Sequence, residues 1–385
     1  MKVLLLGNLA ADRQQSMQRF TALLDSGLRA RGHAVRVCAP TLRLARLWPR
    51  YRYGGIPKYL GYFDKFVLFP RQLRRLVAVT RPDVVHITDH ANAVYADAVR
   101  GVPVLATCHD LLQIRAARGE FPQQQVNRIG RRYQAWILAC ITRLPHVACV
   151  SSQTRADVLR LAGLPAARVS VVANALNHPY QPVPPAVARA RLEGYAAVLG
   201  DALRDGFIIH VGGGQWYKNR TGLLAIYAGL TQLLKPVPAL VLVGPPLTRE
   251  QAGRAATLGF GGQIVVLDNL PNAQLEALYN LAGALVFPSW QEGFGWPIAE
   301  AQACGCPVFA ANRPPMTEVG GPYPLYFNPE HPAAAARAIA AAWPLRAAQR
   351  APALAAAARW LPARMLEAYE AVYRRAGLAT GSSPT

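Results

Sequence analysis

The sequence predicts an α/β protein made of two doubly wound parallel-sheet domains, and three observations carry that prediction. Short apolar runs alternate with longer helical patterns in both halves, as they do in parallel sheets covered by helices. At 385 residues the chain is long for one core and suits two of about 150 to 200 residues each. A stretch from Asn174 to about Gly206, carrying Pro182, Pro184 and Pro185, separates the halves and reads as a linker.

In the first half strands are expected near 2–6, 34–38, 83–87, 103–107, 147–151 and 169–172, with helical patterns over 14–31, 62–80 and 125–143. The opening run Met1-Lys-Val-Leu-Leu-Leu stops at Gly7, which marks a first strand rather than a signal peptide. In the second half strands are expected near 207–211, 239–243, 264–267, 284–287 and 307–311, with helices near 220–234, 272–282 and 297–304. Beyond Pro332 the chain turns alanine-rich and helical, broken at Pro344, Pro352 and Pro362. The division expected is a first domain over 1–185, a second over 186–350, helices over 351–379 that pack back on the first domain, and a tail over 380–385 of disordered composition.

Composition narrows the class. The six cysteines form no CxxC pair and mostly lie in apolar segments, so a disulfide framework or a zinc site is not expected and a reducing compartment is. No uninterrupted apolar run approaches the roughly 18 residues of a spanning helix, since Arg143 and Pro145 break the nearest one. A cytoplasmic protein is therefore expected, with peripheral association at the inner face of the plasma membrane. The net charge of +21 is nearly all arginine, with lysine only at 2, 58, 65, 218 and 235. Between Arg43 and Arg75 nine basic residues face one acid, Asp64, and are mixed with eight aromatic rings. That mixture, with Arg46, Arg50, Arg52, Lys58 and Lys65 as its candidate contacts, suits an anionic membrane or acceptor surface. Nucleic acid binding and a helix that turns its rings inward are the other readings.

Two segments of the second half carry the chemistry. Glu292 and Glu300 bracket Gly293-Phe294-Gly295-Trp296-Pro297, where a strand ends, two glycines follow and Pro297 stands where a helix should begin. Gly293 and Gly295 let backbone amides approach an anion at the positive end of the helix, and two carboxylates can accept from sugar or ribose hydroxyls. Ordinary helix electrostatics and a tight turn would also account for them. Upstream, strand 207–211 runs into Gly212-Gly213-Gly214 and then Lys218. It lacks the P-loop ending and the dinucleotide glycine spacing. Its lysine nevertheless falls at the strand-end edge where open parallel sheets bind ligands, on the same edge as Glu292 and Glu300. A diphosphate between a sugar and a ribose fits the pair. In the first half, His109 follows a strand in Thr107-Cys108-His109-Asp110, placed either to hydrogen-bond a sugar or as a structural histidine.

The segment from Glu292 to Val308 resembles the E-x7-E motif of the "group 1" family of retaining GT-B glycosyltransferases, and His210 to Asn219 is similar to that family's phosphate-binding turn. Weaker likenesses lie at Val150-Ser151-Ser152, Val171 to Asn174, and Thr107 to Asp110. The resemblance implies two Rossmann-like domains facing across a cleft, with donor on the second, acceptor on the first, and no metal or other cofactor. It implies that Glu300 binds the donor ribose, Glu292 the transferred sugar, amides near Phe294 and Gly295 the sugar or phosphate, and Lys218 with Gly212 and Gly213 the diphosphate. His109 then sits near the sugar as a catalytic residue with Glu292. The family often carries an arginine beside the lysine or after the first glycine; Tyr217 and Gly213 hold those places here, and Arg220 is the nearest substitute.

The function expected is therefore a retaining hexosyltransferase that moves a sugar from a nucleotide diphosphate sugar to a glycan or lipid-linked acceptor in cell-surface polysaccharide synthesis. A nucleotide-sugar epimerase on the same fold and a basic nucleic-acid or anionic-surface binding protein are the alternatives.

Overall fold

A computed structural model describes residues 1–12, 14–44 and 60–380. The chain forms two compact units, one of residues 1–177 with 362–385 and one of residues 178–361.

In the first unit, β1 (Lys2–Leu6), β2 (Ala34–Cys38), β3 (Val84–Ile87), β4 (Val104–Cys108), β5 (His146–Cys149) and β6 (Val169–Val171) make one sheet in the order β2-β1-β3-β4-β5-β6. Every pairing is parallel. A parallel sheet is covered on both faces, so its inner strands read as continuous apolar runs. Alternate residues of β1 accordingly enter different cores: Leu4 and Leu6 join Val85, Ile87 and Ile137, whereas Val3 and Leu5 join Phe20, Leu24 and Leu28. The second core is completed from the far end of the chain. Met365, Leu366, Tyr369, Val372 and Tyr373 of the last helix, Pro362–Thr380, pack into it. Gly27 makes room for them, because a Cβ there would lie 2.5 Å from Leu366 Cδ1. Glu370 fixes the helix from outside by accepting from Arg31 Nε at 2.7 Å and Nη2 at 3.0 Å, and bonds His33 Nε2 at 2.9 Å.

In the second unit, β7 (Phe207–Val211), β8 (Ala239–Val243), β9 (Ile264–Leu267), β10 (Ala284–Phe287), β11 (Val308–Ala311) and β12 (Leu325–Phe327) are ordered β12-β11-β10-β7-β8-β9, again all parallel. Both sheets have the topology of a Rossmann-like domain. The short β12 is absent from the sequence reading. The stretch read as a linker is instead part of this unit: its helix Pro185–Arg191 packs on helix Asn272–Leu281, and Arg191 pairs with the buried Glu276, which also accepts from the Gln181 amide at 3.0 Å. Among the described residues no helix is long and apolar enough to cross a membrane.

Candidate donor-binding site

The topology explains why two segments 74 residues apart in sequence share a site. β7 and β10 are neighbours, so the loops at their carboxyl ends lie side by side. The ladder runs on past β7, with the Gly212 amide donating to Val243 O at 3.0 Å, and then a single helical turn, Trp216–Lys218, leads to Asn219. Asn219 adopts the left-handed conformation at φ 53°, which asparagine tolerates better than most residues. It caps helix Arg220–Leu233 by accepting from the Gly222 amide at 3.0 Å, while its Nδ2 donates to Pro288 O at 3.0 Å. The Trp290 amide donates to Tyr217 O at 2.7 Å. These two cross-links hold the β7 turn against the β10 loop.

Held so, Lys218 meets Glu292. Lys218 Nζ lies 2.7 Å from Oε1 and 2.9 Å from Oε2, with the two side chains 14% and 8% exposed. The sequence placed both residues at one sheet edge, but their direct pairing depends on strand order, which no spacing encodes. The ammonium also stands 5.4 Å from the centre of the Phe287 ring.

The rest of the β10 loop is built around a glycine. Gly295 takes φ +100°, a conformation costly for any side chain, and precedes helix Trp296–Ala303. Pro297 is the second residue of that helix, not the first, and Glu300 falls beyond its first turn. Glu300 is therefore not an ornament of the helix dipole. It is buried, 5% exposed, and accepts from Tyr279 Oη at 3.0 Å. Phe294 is buried with its ring at 5.2 Å from that of Trp360. Gly293 precedes it at the partly exposed mouth of the loop.

Arg220 does not replace the absent family arginine. Its guanidinium is buried and donates from Nη1 to Pro245 O at 2.6 Å and from Nη2 to Gly212 O at 2.8 Å, so it clamps the backbone beneath Gly212 and Gly213. Burial lowers its pKa. The clamp requires another glycine, since Gly244 has φ +138° and a Cβ on it would overlap the Gly212 carbonyl. His210 lies in the same place. It is fully buried, its Nδ1 bonds Val286 O at 3.0 Å, and burial pulls its pKa down to about 3, which keeps the ring neutral. The sequence reading gave Gly244 and His210 no role, although a histidine inside an apolar strand that ends in glycines is a legible signal.

His109 belongs to the first unit. It follows β4, buried, with Nε2 bonded to Thr88 O at 2.9 Å and Phe20 edge-on at 4.7 Å. Burial lowers its pKa, so the ring is neutral near pH 7. Asp110 accepts from the Leu112 amide at 2.9 Å and starts the helix that follows.

The basic aromatic stretch is corrected at Lys65. Arg46, Arg50, Arg52 and Lys58 lie outside the described residues. Lys65 is not a surface cation, because it is mostly buried and paired with Asp12 at 2.7 Å. Asp64 accepts from the Arg43 and Leu44 amides at 2.9 and 3.1 Å, and Phe69 is buried against Tyr95. The rings at 66 and 69 thus pack inward. All six cysteines are free thiols, five of them buried, and among the described residues no three His, Cys, Asp or Glu gather to hold a metal.

Two Rossmann-like units, the second with a lysine, a carboxylate and a glycine turn at its strand-end edge, define the class of two-domain, doubly wound α/β folds. The comparisons with known proteins give the family. Residues 17–178 match the model of Glycosyltransferase Family 4 and residues 196–357 that of Glycosyl transferases group 1; the chain belongs to the group 1 GT-B glycosyltransferases. Among curated relatives it is 30% identical over 188 residues to O-antigen chain mannosyltransferase B of Escherichia coli, a match covering 48% of this chain and 47% of that one. The chain spans about half the length of the curated relatives it matches. Sucrose-phosphate synthase from Thermosynechococcus elongatus shares the fold at a TM-score of 0.73 and 19% identity, over 98% of this chain and 100% of that one. HepE of Anabaena, solved with UDP and glucose, shares it at 0.73 and 16%, over 97% and 100%.

Proposed function

We propose that the protein is a metal-independent, retaining glycosyltransferase that moves a hexosyl group from a nucleoside diphosphate sugar to a glycan or lipid-linked acceptor in cell-surface polysaccharide synthesis. The observation that carries this reading is the bidentate Lys218–Glu292 pair at the mouth of the glycine turn. It sets one cation and one anion side by side at one strand-end edge, a phosphate partner next to a hydroxyl acceptor. On donor binding the diphosphate takes Lys218 and the amides at Gly212 and Gly213, a sugar hydroxyl takes Glu292, and the ribose takes Glu300, already oriented by Tyr279. The amides of Gly293, Phe294 and Gly295 line the same mouth.

Breaking the bond from the anomeric carbon to the phosphate oxygen adds a third negative charge to a diphosphate that already carries two, and the departing oxygen takes up the proton that the attacking acceptor hydroxyl gives up. Lys218 and the fixed amides are placed where that charge grows, which lowers the barrier without a metal ion. Attack by the acceptor on the face that the leaving group vacates retains the configuration. His109, neutral and held by Thr88, suits contact with the sugar better than proton shuttling. The first unit then serves the acceptor, at the inner face of the membrane.

Support comes from HepE, solved with UDP-glucose, and from the family match, which leaves the nucleic-acid-binding alternative without backing. The test is to incubate the protein with UDP-, GDP- and ADP-sugars and follow binding and slow hydrolysis. One of these donors is expected to bind. Lys218→Ala should then lower turnover roughly 100-fold to 1,000-fold, the scale of losing one charge-stabilising donor. Failure of every donor to bind would sink the proposal, and a product with an inverted hydroxyl on free nucleotide sugar would point to an epimerase.

A further inference from the structure

We propose that the first unit docks on anionic lipid through the outer face of helix Arg128–Ile141 and the adjoining Tyr62 and Phe63, and not through the stretch around Lys65. The inference sharpens the peripheral-membrane part of the function above, and it stands or falls separately from donor chemistry.

The helix is amphipathic in an unusual sense. Its inner side is buried through Ile137, Cys140 and Ile141. Its outer side carries Ile129, 75% exposed, and Trp136, 41% exposed, two large apolar side chains left in water. They are seven residues apart, about two turns, so they lie on one face. Arg132 stands between them and Arg128 beside them, whereas Arg131 lies on the far side of the helix; all three are exposed. The helix has no acidic residue, and among the described residues none of these arginines is within ion-pair distance of a carboxylate. The Arg131 side chain donates to its own chain, from Nε to Val126 O at 2.9 Å.

The apolar surface continues across an element boundary. Trp136 packs edge-on to Phe66 at 5.2 Å, and Phe66 meets Tyr62 at 5.8 Å. Phe63, next to Tyr62, is 44% exposed. The aromatic-basic mixture read from sequence thus has an outward half after all, but it is assembled from two segments and its charge comes from the second.

Charge complementarity selects the occupant. Unpaired guanidinium groups seek phosphate, which a nucleic acid and an anionic bilayer both offer. Aromatic rings would stack on the bases of a single-stranded nucleic acid, but the most exposed apolar side chain of the face, Ile129, has no π-face to stack, whereas a bilayer takes isoleucine and phenylalanine into its acyl boundary and holds tryptophan at the headgroups. A flat helical face with apolar tips between arginines matches the lipid surface.

Flotation of the full chain with vesicles of phosphatidylcholine, alone or mixed with phosphatidylglycerol, tests the assignment. The protein is expected to float with the mixed vesicles and to stay behind with pure phosphatidylcholine. Arg128→Gln with Arg132→Gln should weaken partitioning roughly 25-fold, about fivefold for each charge at an anionic surface. Ile129→Ser with Trp136→Ser should weaken it at least roughly tenfold, on the apolar area withdrawn. The arginine variant changes only exposed side chains, so its nucleotide-sugar binding and thermal transition should match the parent. Trp136→Ser also gives up the contact with Phe66, so its partitioning is compared well below its own thermal transition, with nucleotide-sugar binding as the check on fold. Unchanged partitioning of both variants, no partitioning of the parent, or tighter binding to single-stranded RNA than to the mixed vesicles would each overturn the proposal. Equal flotation with both vesicle types would as well.

Discussion

At the residue scale, Lys218 and Glu292 pair directly in the free protein, and an anion that binds Lys218 competes with that carboxylate for the ammonium. On the proposed reading Glu292 is then more than a sugar contact. A nucleotide sugar compensates the displaced carboxylate with a hydroxyl, but a nucleoside diphosphate does not, so the pair disfavours product over donor. Around it, Gly244 is the residue least open to change. Gly244→Ala would force a side chain into φ +138° and against the Gly212 carbonyl, and a loss of about 2 to 4 kcal/mol in chemical denaturation is expected from strain and overlap together. A loss below 1 kcal/mol would show that Arg220 does not clamp this turn.

At the element scale, what was legible follows from burial. β1, β7 and β8 have the bounds expected from sequence because parallel strands covered on both sides form short, mainly apolar runs ending at glycine; β2, β9 and β10 also match, with β2 and β9 at sheet edges. β12 was missed because it has three residues and follows Gly320-Gly321-Pro322-Tyr323-Pro324, whose composition signals only a turn. The donor segments were legible because glycine, proline and a carboxylate there break the local pattern. Their pairing was not, since the adjacency of β7 and β10 is a crossover that only tertiary structure reveals. The last helix makes a prediction of its own. Hydrogen bonds from Arg31, helped by His33, lower the Glu370 pKa from 4.5 to about 2. A carboxylate whose folded pKa is depressed contributes stability above its unfolded pKa and loses it as the pH falls toward the folded value. The window is therefore about pH 4.5 down to 2. Urea denaturation should show roughly 1 to 3 kcal/mol lost across it, after allowance for solvent screening. In Glu370→Gln that dependence should flatten, and an unaltered pH profile would assign the acid sensitivity elsewhere.

At the scale of the whole molecule, the first unit is discontinuous in sequence, closed by residues that follow the whole of the second. A chain ending at Leu361 would leave Phe20, Leu24 and Leu28 without Leu366, Tyr369 and Tyr373. Calorimetry of that truncated chain should show the first unit's transition lost or strongly lowered, with that of residues 178–361 retained. Two unshifted transitions would contradict the packing described. The central claim concerns the second unit: that Lys218 and Glu292 are the phosphate and sugar ends of one donor site. Titration calorimetry of Glu292→Gln with the nucleoside diphosphate of the preferred donor, beside turnover of the same variant, tests it most directly. The account predicts tighter nucleoside diphosphate binding, by roughly tenfold or about 1.4 kcal/mol, because Lys218 is released, together with a large loss of turnover. Weaker nucleotide binding with turnover preserved would contradict it.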